Sequence, residues 1–544
     1  MKKPLQNLIM AVLLFLLPTL TIAQAPPLGA ASDFTLFTSV GAMENVGTYQ
    51  YLTLITGDVG TNSGSNTNFG NVNGVMHAGD GATGQCAIDL QAAYDFLADA
   101  IPDSTIENPV LGNNSTLKPG TYLLPGATSL EQSLTLDAQG DADAVFIIKM
   151  PSGSPVYAFN TSTNAQVNLV NGAQASNVFW FITGAVNMGT STIMKGTIIA
   201  GGSISMSADT DLEGRALTIN GSVTVSNGDI GLSAYLPVDI STPLPTGPAA
   251  PVFVESGKYA VFSSIGDVSD DGTSHVTGSV GSNSALPTGF DPLFVSGDIE
   301  GMNTATAGGA ADLTLVYNSL SNLAADIELL APAQFGHNLV LTPNAYVMNS
   351  AVSLTDTIIL DAKGNADAVF IIKTYGAFES SVHSNVMLMN GTQAKNVFWM
   401  VNGSVSIGDS SSFNGNIVVN NGAIDLLKGS SLSGRALTTN GSISTTGMTA
   451  EATEVGIDPI NSNRLFTIYP NPFSTLINVR ISSEVKMKSY EMRIYNILGV
   501  MVLNTTISND VTSISASNLS SGVYFYYLIG NEKTIQSGKL ISKQ

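Results

Sequence analysis

The chain says nearly the same thing twice, about 220 residues apart, and that duplication constrains its fold more than any other feature. LDAQGDADAVFIIK (136–149) returns as LDAKGNADAVFIIK (360–373), identical at 12 of 14 positions. NGAQASNVFW (171–180) returns as NGTQAKNVFW (390–399), and GRALTINGS (214–222) as GRALTTNGS (434–442). Each copy also has a shorter period. Gly184, Gly202 and Gly221 step by 18 and 19 residues, and Gly403, Gly422 and Gly441 by 19 and 19. A short alternating segment follows each of these glycines: GAVNMG, GSISMS and GSVTVS, then GSVSIG, GAIDLL and GSISTT. One strand per 18–19 residues, with turns between, is the pattern of a parallel β-solenoid. Alternation then sends Val186/Met188, Ile204/Met206 and Val223/Val225 inward. Ala185/Asn187, Ser203/Ser205 and Ser222/Thr224 point outward as a ladder of small groups.

At 544 residues the chain has room for three domains, each able to bury a core. Residues 1–25 read as a secretory signal peptide, with Lys2 and Lys3 before a short apolar run broken by Pro18. No other segment is long and apolar enough to span a bilayer. Residues 26–236 form the first repeat domain, 237–251 a Pro-rich extended linker, and 252–455 the second repeat domain. A different module occupies 465–544, where alternating strands punctuated by Asn-Pro and Ser-Gly turns predict a small β-sandwich. Each repeat domain holds one helix-like segment, 85–101 and 310–327. In the first, Ile88, Ala92, Leu97 and Ile101 are expected to share a face. VFWFIT (178–183) is apolar at both parities, so Phe179 and Phe181 need a cover outside the solenoid, and the helix supplies it. The expected fold is mostly β: two right-handed parallel β-solenoids, each flanked by one long α-helix, plus the C-terminal β-sandwich.

Only 11% of residues are charged, yet the net charge is −21. No basic stripe exists to neutralise phosphates, so nucleic acid is not an expected partner. Cys86 is the single cysteine, which excludes an intrachain disulfide and reads as a packed core residue. Solenoids also host polysaccharide lyases and hydrolases, whose chemistry needs clustered acids beside a base in a groove. Here each repeat domain has one arginine, Arg215 or Arg435, inside the repeated GRAL segment, and the four histidines are scattered. Asp137 and Asp361 read as turn residues. Asp141/Asp143, Asp209/Asp211 and Asp267/Asp270/Asp271 match no complete calcium loop. No catalytic role, metal or cofactor is expected.

TGDVGTNSG (56–64), LKPGTY (117–122), LDAQGDADAVF, NGAQASNVFW, KGTIIA and GRAL occur in one order across 28–232. In that combination the chain resembles the secreted microbial ice-binding proteins built as a discontinuous β-solenoid with one long helix. The second copy resembles them over 257–446, with LTPNAY (341–346) in place of LKPGTY and a rebuilt loop after VGSNS. The resemblance implies adsorption to ice. The contact surface is then expected at Ala185, Asn187, Ser203, Ser205, Ser222 and Thr224, extended by Thr161 and Thr163. The second-copy equivalents are Ser404, Ser406, Ala423, Ser442 and Ser444, interrupted by Asp425 and Lys428, so this copy is expected to bind less well. YPNPF (469–473), IYNILGVMV (494–502), LSSGVYFYYL (519–528) and GKLISKQ (538–544) resemble the sorting domain of type IX secretion cargo. That implies the type IX machinery as a partner, and an address outside the cell or at its outer surface. A cell-surface adhesin for glycans or other cells is the competing reading. Glycan sites usually display exposed aromatics, whereas Trp180 and Trp399 fall on inward positions.

Overall fold

The computed structural model describes residues 23–228, 231–237, 243–452, 466–469, 473–481, 490–496, 500–507, 511–530 and 533–543. The signal-peptide reading falls almost wholly outside them. The chain divides into two compact units, residues 1–455 and 456–544.

In the first unit each copy is a parallel solenoid with three strand-bearing faces. Take the last coils of copy one. Val178–Ile182, Ile193–Ala200 and Asp211–Thr218 pair side by side on one face, and Val186–Met188, Ile204–Met206 and Val223–Val225 on the next. Ile193–Ala200 and Asp211–Thr218 are long enough to serve two faces, the first residues of each lying on the third. They bend at Gly196 and Gly214, whose φ values are +105° and +158°. A Cβ on Gly214 would collide with the carbonyl oxygen of Gly196 one coil away, as would one on Gly434 with Gly415. The 19-residue glycines repeat for the same reason, since a Cβ on Gly441 meets the carbonyl of Gly422, and one on Gly422 that of Gly403. Stacked coils leave no room there for a side chain.

The solenoid is discontinuous in sequence. Phe34–Thr38 lies between Asp58–Thr61 and Asp211–Thr218, so the first coils sit beside the last. The chain therefore has to travel from one end of the prism to the other before winding back, and the helix is that path. α1 (Gly81–Asp99) leaves the strand Met76–Ala78 at one end and delivers the chain to Ser104–Thr105 at the other. Nineteen residues of helix span about 28 Å. α2 (Thr304–Asn322) does the same in copy two. Both helices begin earlier than their apolar pattern suggested, because capping boxes fix their starts: Asp80 with Thr83, and Asn303 with Thr306.

The α1 face that docks consists of Thr83, Cys86, Leu90, Ala93 and Leu97. It packs on Phe179, Phe181, Ile199 and Leu217, the outward side chains of the covered face. Val178, Trp180 and Ile182 point the other way, into the solenoid core. Ile88 and Ile101, expected on the docked face, are 65% and 84% exposed. Positions 83, 86, 90, 93 and 97 follow 3.6-residue spacing, and small residues there allow close approach, so the apolar stripe was misphased. Lys149 and Lys373 end the repeated FIIK segments. Each lysine is 4% exposed, and its ammonium donates to two carbonyls at the end of its helix. Lys149 Nζ reaches Ala98 O and Ala100 O at 2.8 and 2.7 Å, and Lys373 Nζ reaches Ser321 O and Leu323 O at 3.1 and 2.6 Å. They satisfy orphan carbonyls and complement the helix dipole.

The second half of the linker lies on copy two: Pro245 O accepts from Asn365 Nδ2 and Thr246 O from Val369 N, each at 2.9 Å. The second unit contains an antiparallel three-stranded sheet (Phe466–Tyr469, Leu476–Ile481, Val511–Ser515). It also has an antiparallel four-stranded one (Tyr490–Asn496, Met501–Ile507, Gly522–Gly530, Lys533–Ser542). Their shared core includes Ile477, Val479, Met492, Ile494, Leu528 and Leu540.

Candidate ice-contact face

The three faces of copy one meet different fates. One is covered by α1. The third is charged, with Lys195 paired to Glu213 at 2.9 Å and Asp211 bonded by Ser233. The remaining face carries two columns of small side chains. Strand register aligns Ser129, Asn160, Asn187, Ser205, Thr224, Glu44 and Thr67 in that order. Interstrand bonds to the carbonyls of Ala158, Ala185, Ser203, Ser222, Ala42 and Ser65 mark the second column beside it. Neighbouring coils lie about 4.8 Å apart, so the columns form a two-dimensional array. Glu44 is the one formal charge within the two columns, and Glu131 stands beside them, bonded by Ser129 Oγ at 3.2 Å.

The array is stiff. Asn187 Nδ2 donates to Asn160 Oδ1 at 2.8 Å, which aligns two amides along the column. Beneath it, Thr38, Thr61 and Thr218 donate their hydroxyls to the carbonyls of Gly221, Gly41 and Gly202 at 2.6–2.7 Å. These buried hydroxyls pin the corner from which each contact strand starts, and Ser263, Ser282 and Thr438 do the same in copy two. Nothing in the local alternation signalled them, because they sit on the covered-face strands.

Of the expected contact residues, Ala185, Asn187, Ser203, Ser205, Ser222 and Thr224 lie together on this face, exposed or half-buried. Thr161 does not. It is 7% exposed, its hydroxyl lies 2.7 Å from Thr192 Oγ1, and it accepts from Gly189 N at 2.9 Å. In Phe159–Thr161 the outward parity belongs to Asn160, which pairs with Asn187. Thr163 is exposed but sits in the turn beyond that strand. The slip arose because Asn160 precedes Asn187 by 27 residues, outside the 18–19 period, so the glycine rhythm could not set its parity. Ser129, Glu44 and Thr67 were missed for the same reason.

In copy two the register aligns Ser353, Glu379, Ser406, Asp425, Ser444 and Ser269. Its second column runs through Ala377, Ser404, Ala423, Ser442 and Asp267. Three carboxylates thus stand where copy one has a single Glu44. Asp425 is held by the Ser444 hydroxyl. Val382, which replaces Thr163, is 61% exposed, and Lys428 is also exposed.

The two solenoid arginines, the repeated Asp137 and Asp361 and the cysteine are engaged structurally. Arg215 Nε donates to Ser32 O at 2.9 Å and Nη1 to Thr197 Oγ1 at 3.2 Å, and burial pushes its guanidinium down to about 10. Arg435 donates to Gly257 O and Asn416 Oδ1. A recess of about 630 Å³ beside Arg215 has one carboxylate in its lining, Asp143, and no histidine. Asp137 Oδ1 accepts from Gln139 N and Asn171 Nδ2, and Asp361 Oδ1 from Lys363 N and Asn390 Nδ2. These bonds hold both carboxyls below their usual range, that of Asn171 leading at Asp137, while at Asp361 they outweigh its burial. The Cys86 thiol is fully buried and pushed up by desolvation. Among the described residues no group of three or more His, Cys, Asp or Glu is placed to hold a metal ion.

A parallel solenoid buttressed by one helix, with a bare face built largely of small residues, defines the class to which this protein belongs. Residues 34–231 and 263–451 match the Ice-binding-like family, and the chain is a member of it. Residues 467–543 match the Secretion system C-terminal sorting domain. The chain is 32% identical over 212 residues to the ice-binding protein of Nostoc sp. (strain HG1), covering 38% of this chain and 74% of that one. It is 26% identical over 325 residues to ice-binding protein 1 of Shewanella frigidimarina, covering 52% of this chain and 36% of that one. It is similar to the crystal structure of an ice binding protein from an Antarctic bacterium of the Flavobacteriaceae. The TM-score is 0.75 and the identity 44%, over 79% of this chain and 99% of the other.

Proposed function

We propose that this protein is exported and adsorbs to ice through the two-column face of copy one, restraining crystal growth without catalysing a reaction. One observation carries the reading: of the two faces the helix leaves bare, one holds two regular columns of Ala, Ser, Asn and Thr in which Glu44 is the single carboxylate. Such side chains are short or restricted at χ1 and lose little entropy on contact. Few strongly hydrated charges interrupt the surface, so water ordered over it can merge with an ice lattice. Each contact is weak, and regular area supplies the affinity. The sorting domain supports delivery to the medium or the outer cell surface, where such a face would meet ice. The test is a frozen sucrose suspension held just below melting. Micromolar protein should keep the crystals small, and coarsening at the rate of buffer alone would sink the proposal.

A further inference from the structure

The two solenoids are joined by more than the linker. Asn71 of copy one, 6% exposed, treats Ala331 of copy two as a strand partner. Its Oδ1 accepts from Ala331 N and its Nδ2 donates to Ala331 O, each at 2.9 Å. Asn73, 3% exposed, accepts from the Tyr346 hydroxyl at 2.7 Å and donates to Thr342 Oγ1 at 3.3 Å. The Tyr51 and His337 rings stack with centroids 4.0 Å apart. All four hydrogen bonds come from two buried side-chain amides, each of which both donates and accepts, so separating the copies would strand several polar groups.

The contacts match corner with corner. Tyr51 lies where copy one turns from its contact strand Met43–Asn45 to its third-face strand Thr53–Thr56. His337 lies at the same turn in copy two, between Phe335–Gly336 and Leu339–Leu341. Asn73 bridges Thr56, where the third face of copy one gives way to its covered face. Thr342 and Tyr346 flank the same corner of copy two, between Leu339–Leu341 and the covered-face strand Ala345–Met348. Two matched corners fix the rotation of one prism about the other. The divergence of LTPNAY from LKPGTY also acquires a purpose here. Thr342, which bonds Asn73, replaces Lys118, and His337, which stacks on Tyr51, replaces Asn113. Lys118 and Asn113 are exposed at the free end of copy one.

We propose that the two solenoids meet ice as one rigid body, the junction holding the contact column of copy two on the same side as that of copy one. The inference rests on the contact-face reading above. A column carrying Glu379 and Asp425 is a weak binder by itself. Held in register with a stronger one, it adds contacts whose positioning entropy is already lost.

The test uses the whole exported chain with Asn71→Ala and Asn73→Ala together, and separately Tyr346→Phe, which keeps the ring and removes one junction bond. Spin labels on cysteines introduced at the exposed Asn220 and Asn440 report the distance between copies, since Cys86 is buried. The double variant should broaden that distance distribution, keep the circular dichroism of both solenoids, and raise the protein concentration needed to stop recrystallisation at least about tenfold. Tyr346→Phe should shift both readouts in the same direction by less. Ser406→Tyr should raise that concentration in the intact chain and add nothing to the junction variant. A broadened distribution with an unchanged concentration overturns the single-body inference alone, as does a distribution that stays narrow. Ser205→Tyr without effect in either background overturns the contact face itself, and the composite face with it.

Discussion

At the scale of single residues, inward and outward neighbours on one strand make opposite predictions. Ser205 and Thr224 are half-buried on the proposed contact face, with their Cβ atoms toward solvent. Ser205→Tyr or Thr224→Tyr should change folding stability by no more than about 0.5 kcal/mol, as at ordinary surface positions. Either change should raise the concentration needed to stop recrystallisation steeply, because a ring standing above a flat array lifts ice from neighbouring coils too. Ser406→Tyr and Ser444→Tyr should do less harm, since carboxylates already break that column. Equal or greater damage in copy two would place the main contact surface there. Thr161→Val is the complementary case. It keeps the shape but leaves Gly189 N–H without its acceptor, which should cost about 1–3 kcal/mol. A denaturant midpoint should register that loss, while ice activity per folded molecule stays at the parent value.

At the scale of elements, the strands of the last three coils were legible because a close-packed glycine recurs at every coil and sets the alternation after it. Where coils carry longer loops the rhythm fails, and Thr161 was given the wrong parity. The need for a helix was legible from VFWFIT, which is apolar on both faces. Its docking face was not, because Cys86, Ala93 and Thr83 are selected for close approach, not for hydrophobicity. The repeated FIIK looked like a plain strand, and nothing local announced that its lysine closes a helix lying some fifty residues earlier. The helix start gives a pH prediction. Asp80 caps α1, and the Thr83 N–H, followed by His77, lowers its carboxyl from 3.8 to about 2. A carboxyl depressed in the folded state contributes stability that is complete above its unfolded value and lost as pH falls through the folded one. The cap's contribution should therefore fade between about pH 4 and pH 2. It will be modest, because the Asp80 side chain is 44% exposed and screened by solvent. Asp80→Ala should cost about 1 kcal/mol at neutral pH. Urea titrations of the parent and Asp80→Ala at pH 7 and pH 2.5 should show the gap closing in acid. A constant gap would mean that the cap does not act through its charge.

At the scale of the whole molecule, the chain carries two solenoids of one build whose sequences differ at the junction and along the bare columns. The divergence was visible in the sequence as two departures, LTPNAY and the rebuilt loop after VGSNS. Their meaning was not, because a junction between copies depends on residues such as Asn71 and Tyr346, some 270 positions apart. The sorting module stands in a different relation to the rest. Its core of Ile477, Val479, Met492, Ile494, Leu528 and Leu540 is drawn from within the second unit alone. The solenoid cores are likewise drawn from residues before 455. A chain ended near residue 455 and produced without the export route should therefore fold, keep a melting transition close to that of the full protein, and stop recrystallisation at a similar molar concentration. The same truncation in the native host should abolish appearance of the protein outside the cell, because the exported chain would lack its sorting domain. Failure of the shortened chain to fold would show that the C-terminal strands complete a solenoid instead of forming a separate module. Continued export would show that the signal for leaving the cell lies elsewhere in the chain.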